Sequence, residues 1–163
     1  MEATITQLKK LNANTRYLND AIGKYAEELM NRMPDKLNTC FFTNSGSESN
    51  DLALRIAHNH TGSSETIVLD GAYHGHLISL IKISPYKFNG PGGTGAEKDI
   101  HVAPAPDIFR GKYKGRNASS QYVEEINKII FKIHKSDKNI SAFFSEAIMG
   151  CGGQIIPPKH FLK

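Results

Sequence analysis

The chain has 163 residues, 39% of them apolar and 22% charged, with a formal net charge of +4. That is enough chain and enough apolar content for one folded domain, and no apolar run approaches the ~18 residues that a membrane span requires, so no span is expected. The basic excess is gathered in Arg110, Lys112, Lys114 and Arg116, a cluster that reads as a solvated loop and not as a nucleic-acid-binding stripe along a helix.

At the N-terminus, residues 1–11 are polar, with neither the apolar core of a secretory signal nor the arginine-rich, acid-poor character of a transit peptide. Leu18, Ile22, Tyr25, Leu29 and Met33 then recur at three- and four-residue steps, which predicts a helix from about Tyr17 that Pro34 ends. Residues 39–43, Thr-Cys-Phe-Phe-Thr, read as a short buried strand, and Leu52, Ile56 and Ala57 mark a second helix over 51–58. A strand over 66–70 and a short helix over 75–83, stopped by Ser84 and Pro85, follow. Beyond a Gly- and Pro-rich loop at 89–95 comes a strand over 100–103, then the loop with the basic cluster. Tyr122, Ile126, Ile129, Ile130 and Ile133 give the clearest amphipathic helix, expected to start on a capping Ser119 or Ser120, and it leads into a strand over 140–145.

Strands alternating with helices predict an α/β fold with a mostly parallel sheet and flanking helices, in which ligands collect at the carboxyl ends of the strands. Cys40 and Cys151 are the two thiols, far apart and without zinc or paired spacing, which reads as a reducing, intracellular compartment. In such a compartment the Asn-x-Ser/Thr triplets at Asn59, Asn117 and Asn139 are chance matches.

Three places carry chemistry. Asn44-Ser-Gly-Ser-Glu-Ser-Asn50 is a small-residue turn at a helix start, where free N–H groups and the helix dipole favour an anion. Gly46 would let backbone approach a ligand, and Ser45 and Ser47 would add hydroxyl donors to phosphate oxygens. The same residues suit a plain helix cap, Ser47 acting with Asn50 or Glu48. Asp70-Gly-Ala-Tyr-His-Gly-His76 follows a strand and offers the flat rings of Tyr73 and His74 at its carboxyl end, fit for stacking on a flat heterocycle. Metal binding is the competing use of its His-x-His pair and of His58 with His60, although on a helix that spacing points the latter two apart; His60 is better read as a cation at a helix C-terminus. Glu146 closes an apolar strand, where a carboxylate needs a partner or an outlet to water.

Together with Ser84-Pro-Tyr-Lys-Phe88 and Cys151-Gly-Gly-Gln-Ile-Ile-Pro-Pro158, these stretches resemble class III pyridoxal-phosphate-dependent aminotransferases. The likeness is nearest to the alanine-glyoxylate aminotransferase 2-like branch, which includes phospho-lyases of ethanolamine phosphate and phosphohydroxylysine, and it runs from about Gln7 onward. The resemblance implies part of a fold type I large domain that binds pyridoxal 5′-phosphate. In that family Ser45, Gly46 and Ser47 would face the cofactor phosphate, Tyr73 would stack on the pyridine ring with His74 alongside, and Glu146 would sit close to the acid that pairs with the ring nitrogen.

By the family's pattern, the ring-nitrogen aspartate and the Schiff-base lysine lie downstream of Lys163. Residues 1–163 are therefore expected to be a partial cofactor-binding domain without catalytic residues of their own, lacking an N-terminal segment, the rest of the large domain and a small C-terminal domain. The full protein is expected to be an intracellular homodimer, mitochondrial or cytosolic, acting on a small amine. Many members have a second acid five residues after the position of Glu146, and this chain has Cys151 there, a departure that favours a phospho-lyase or a glyoxylate-type enzyme. A truncated, non-catalytic isoform that binds only a phosphate or a partner subunit is the alternative. A P-loop nucleotide site is disfavoured, since the turn at 44–50 lacks its lysine and the Gly-x-Gly-x-x-Gly spacing.

Overall fold

The structure is a computed structural model that describes residues 1–13 and 16–163. Asn14 and Thr15, within the stretch from about Gln7 onward that carries the resemblance, lie outside the described residues. Two compact units are present, Met1–Phe42 and Thr43–Lys163.

The first unit holds two helices. α1 (Glu2–Lys10) was not expected from its polar sequence, yet Glu2 in its first turn and Lys9 and Lys10 in its last complement the helix dipole. α2 (Asp20–Met30) starts later than the apolar period predicts, because the Asn19 side chain accepts a hydrogen bond from the Ala21 N–H at 2.9 Å and fixes the cap there. It also ends before Pro34, with the Asn31 N–H bonded to the Glu27 carbonyl. Residues 39–43 form no strand: the first unit supplies no strand among the described residues for the apolar run to pair with, and Phe42 stacks on Tyr25, centroids 5.3 Å apart.

The second unit is built on a three-stranded, all-parallel sheet. β1 (Glu65–Leu69) lies in the middle, flanked by β2 (Ile100–Ala103) and β3 (Ile140–Phe144). Val68 aligns with Val102 on one side and with Phe144 on the other. Every residue of β1 is buried, as a central parallel strand covered on both faces must be.

Alternation along β1 sends Ile67 and Leu69 to one face and Val68 to the other. On the first face Ile67, Leu69 and Ala103 meet Ala118, Tyr122 and Ile133 of α6 (Ala118–Lys135), together with Met149, Ile155 and Phe161. On the second, Val68 meets Leu54 of α3 (Gly46–Thr61), Leu80 of α4 (Ile78–Lys82) and Ile83. At the amino end of β1, the buried Glu65 carboxylate holds Lys138 and His101, and its pKa is lowered, first by the hydrogen bond from Lys138.

Several boundaries differ from the sequence reading. The helix expected over 75–83 starts only at Ile78, and Pro85, read as a stop, also opens a one-turn helix, α5 (Pro85–Phe88), at the first position, where its missing N–H costs nothing. α6 is capped by Asn117 without a side-chain bond, while the Ser120 hydroxyl donates back to the Asn117 carbonyl at 2.9 Å. The basic loop is more tied down than a solvated loop implies. Arg110 pairs with Asp107 and donates to the Gly153 carbonyl, and Lys112 pairs with Glu125, whose pKa is lowered to about 2 by Tyr113, Lys128 and Lys112.

Tyr122 anchors this loop to α6. Its buried hydroxyl donates to the Asp107 carbonyl at 2.9 Å and accepts from the Tyr113 N–H at 3.1 Å. Tyr122→Phe keeps the ring but strands both backbone groups, and is expected to cost about 1–3 kcal/mol, the penalty for unsatisfied buried polar groups. Urea unfolding monitored by circular dichroism checks this; an unchanged midpoint would show that water replaces the phenol freely.

Candidate functional site

The candidate residues converge at the carboxyl ends of β1 and β3, where an open parallel sheet places its ligands. α3 supplies the first wall. Its cap is Ser45 and not Ser47: the Ser45 hydroxyl accepts from the Glu48 N–H at 3.1 Å, and the Glu48 carboxylate reaches back to the Asn44 N–H at 2.7 Å. The capping reading named Ser47; the cap falls on Ser45 instead, which leaves Ser47 for other work. Gly46 and Ser47 occupy the first turn, where backbone N–H groups have no intrahelical acceptor. A Cβ added at Gly46 would meet nothing within 4 Å, so no packing within the protein demands glycine there and the backbone lies open to a ligand.

The loop after β1 supplies the second wall, and three hydrogen bonds stitch it and the following α4 to α3. The Ser47 hydroxyl accepts from the His76 N–H at 3.0 Å, which leaves its own proton to donate elsewhere. The Asn50 amide donates to the His74 carbonyl at 2.8 Å, and Ser79 donates to Asp51. Gly75 makes this approach possible. Its φ is +143°, and an added Cβ would stand 2.7 Å from the Ser47 hydroxyl oxygen and 2.5 Å from a Leu80 methyl.

Glu146 is the third element. One carboxylate oxygen accepts from the Tyr73 N–H and the other from the Gly150 N–H, each at 3.0 Å. A charge at the end of an apolar strand is thereby satisfied by two backbone donors. Beyond it, Met149 and Ile155 form an antiparallel bridge that closes the 149–155 turn, with Gly152 against Gly71.

The two rings of the second motif are placed differently. Tyr73 is half-buried, edge-on to Tyr86 at 6.2 Å, with the Lys87 ammonium 5.8 Å from its centroid. His74 is only 6% exposed; its ring lies edge-on to Phe144, and its Nε2 has no hydrogen-bond partner among the described residues. His74 therefore backs the site from within the fold, while Tyr73 borders it. Sequence reasoning missed Ser84, whose hydroxyl accepts from the His74 N–H at 2.9 Å and donates to the Leu80 carbonyl at 2.6 Å. It also gave no role to Lys87; the signal was the Tyr-Lys pair directly after Pro85.

A turn of free amides and a hydroxyl beside a half-buried aromatic ring can take an anionic group joined to a flat ring. The family model described as aminotransferase class-III matches residues 1–163. The chain belongs to this family. A relative from Drosophila melanogaster named alanine-glyoxylate aminotransferase 2-like is 42% identical, covering 100% of this chain and 34% of its own length. A Caenorhabditis elegans ethanolamine-phosphate phospho-lyase homolog is 38% identical, over 100% of this chain and 37% of the relative. Among solved structures, a phospholyase from Arthrobacter in complex with phosphoethanolamine superposes with a TM-score of 0.80 at 29% identity, over 99% of this chain and 38% of that one. The chain thus spans about a third of the length of the class III relatives it matches, and the fold it shares with them is that of pyridoxal-phosphate enzymes.

Burial lowers the pKa of His74 below its ordinary 6.5, and the nearby Glu146 carboxylate opposes that shift without cancelling it. A histidine whose folded pKa is depressed stabilises the fold fully above its unfolded pKa and loses that contribution as pH falls through 6.5 towards the folded value. His74→Leu retains the backbone bonds of residue 74 and deletes this titration. The wild-type thermal midpoint is therefore expected to drop more steeply between about pH 7.5 and 5.5 than that of the variant; parallel slopes in a scan at several pH values would show that the imidazole is not held neutral.

Proposed function

We propose that residues 1–163 are the cofactor-binding front of a longer class III enzyme that uses pyridoxal 5′-phosphate to act on a small primary amine, as a transaminase or as a phospho-lyase. The observation that carries this reading is the Ser47–His76 hydrogen bond, which brings the open first turn of α3 beside the loop that presents Tyr73. The rest of the large domain, a small domain and a partner subunit complete the enzyme in this reading, and its compartment is intracellular.

The residues present fit the cofactor. In the proposed arrangement the Gly46 and Ser47 N–H groups and the Ser47 hydroxyl bind the phosphate, helped by the positive end of the α3 dipole, and Ser45 holds that turn in shape. Tyr73 stacks on the pyridine ring, its backbone pinned by Glu146. His74 and Ser84 stiffen the loop from behind. What the bound cofactor supplies is an electron sink for the pair left when a proton departs beside the substrate nitrogen. Loss of phosphate from the adjacent carbon, in place of reprotonation, separates the phospho-lyase outcome from transamination. Likeness to a phospholyase in complex with phosphoethanolamine favours the former, whereas Cys151, exposed in the 150–154 turn at the place of the second acid, favours a phospho-lyase or a glyoxylate-type transaminase without separating them.

Two measurements on the full-length protein test this. Ser47→Ala is expected to weaken pyridoxal phosphate binding by about 1–2 kcal/mol, the scale of a hydrogen bond to a charged group; an unchanged dissociation constant in a fluorescence titration overturns the phosphate assignment. Tyr73→Phe is expected to bind the cofactor nearly as well as wild type and Tyr73→Ala distinctly less well, by roughly 1 kcal/mol for lost stacking. Equal affinities for all three would remove Tyr73 from the site. Phosphate release from phosphoethanolamine, scored against amination of a keto acid, separates the two reactions.

A further inference from the structure

α5 stands beside the loop that carries Tyr73 and is fastened to it twice. The Tyr86 N–H donates to the Ala72 carbonyl at 3.1 Å, and the Ser84 hydroxyl accepts from the His74 N–H at 2.9 Å. These bonds fix where the next side chain, Lys87, can reach. Its ammonium lies 5.8 Å from the Tyr73 centroid and 5.6 Å from that of Tyr86, while the two rings meet edge to face.

Lys82, Lys112, Lys128 and Lys138 each sit against a carboxylate. Lys87 has no carboxylate partner among the described residues. Glu146, on the other side of Tyr73, is occupied by two backbone N–H groups. The rim of the candidate site therefore holds a positive charge on a half-aromatic shelf with no internal counter-ion. Ring faces attract the ammonium but leave its outward hydrogens unspent.

Resting on the proposed cofactor-binding role of Ser47 and Tyr73, we propose that Lys87 is a specificity-determining residue: it binds the anionic end of the substrate, a phosphate monoester, while the substrate's amine faces the ring stacked on Tyr73. A phosphate ester carries between one and two negative charges near neutral pH, and a lysine ammonium suits it as a compact point charge with rotatable donors. A short chain with an amine at one end and a phosphate at the other would place the phosphate at this rim. An uncharged amine gains nothing from Lys87, so the residue discriminates between the two substrate classes. The shelf of Tyr73 and Tyr86 narrows the volume the ammonium explores, which lowers the ordering cost of engaging the anion.

The test uses the full-length holoenzyme with phosphoethanolamine as substrate, and inorganic phosphate as competing ligand. Lys87→Met is expected to raise KM for phosphoethanolamine and Ki for inorganic phosphate about tenfold or more, the effect of losing one charge-assisted bond. The affinity for pyridoxal phosphate should stay within about twofold, kcat should change little, and Lys87→Arg should restore most of the loss. Raising the salt concentration should weaken phosphoethanolamine binding to wild type more than to Lys87→Met. If Lys87→Met loosens pyridoxal phosphate instead, the ammonium serves the cofactor's phosphate and the proposal is overturned. It is equally overturned if no constant changes, or if the wild-type holoenzyme binds neither phosphoethanolamine nor inorganic phosphate. Because Ser47→Ala reports on cofactor affinity alone, a silent Lys87→Met beside a weakened Ser47→Ala sinks this inference and leaves the cofactor site standing.

Discussion

The Glu146 carboxylate, shared between the Tyr73 and Gly150 N–H groups, is the constraint on which the strand-end face depends. It joins the exits of two adjacent parallel strands, which the sheet ladder has ceased to hold at that point. With the clip in place, Tyr73 is oriented by its backbone, and the 149–155 turn is fixed close enough for Gly152 to lie against Gly71. An amide in place of the acid would accept from one N–H and oppose its own donor to the other, which gives an acid at this position a structural reason.

Division of labour follows from the parallel sheet. Its far end is held by the Glu65 carboxylate between Lys138 and the His101 ring, whereas the site end is held by hydroxyl, amide and backbone groups and by one carboxylate saturated with N–H donors. The helix dipole of α3 and the ammonium of Lys87 add positive influences to this end of the sheet. The dense core on both faces of β1 makes the exit of the strand a rigid platform.

What could be read in the sequence was whatever depended on local pattern. All three strands of the sheet were legible because an apolar run in a parallel sheet is buried on both faces, and α6 because Tyr122 and its isoleucines keep helical spacing over about three turns. Residues 39–43 show the limit: their composition is that of β1, but a strand exists only through its neighbours. α1 was missed for the opposite reason, since a polar helix with no buried residue leaves no apolar stripe to detect. At the candidate site, the small-residue turn at 44–50 and Tyr73 stood out by residue type. The exchange of roles between Ser45 and Ser47 did not, because it depends on a loop 29 residues away. Nor did the burial of the His74 ring, set by Phe144 on a different strand.

The bonds that assemble this face span long stretches of chain: 24 residues from Asn50 to His74, 29 from Ser47 to His76 and 73 from Tyr73 to Glu146. Contacts of that separation must wait for loop closure, so they form after the local helices. During synthesis the order is stricter still. α3, β1 and the Tyr73 loop leave the ribosome well ahead of Glu146, and until β3 arrives β1 has one edge unpaired and the Tyr73 N–H has no acceptor. Half a sheet edge and a cluster of aromatic side chains are thus exposed during the interval in which a nascent chain is most prone to mispairing. The feature that gives the finished site its rigidity is the same one that makes it among the last parts of the chain to take shape.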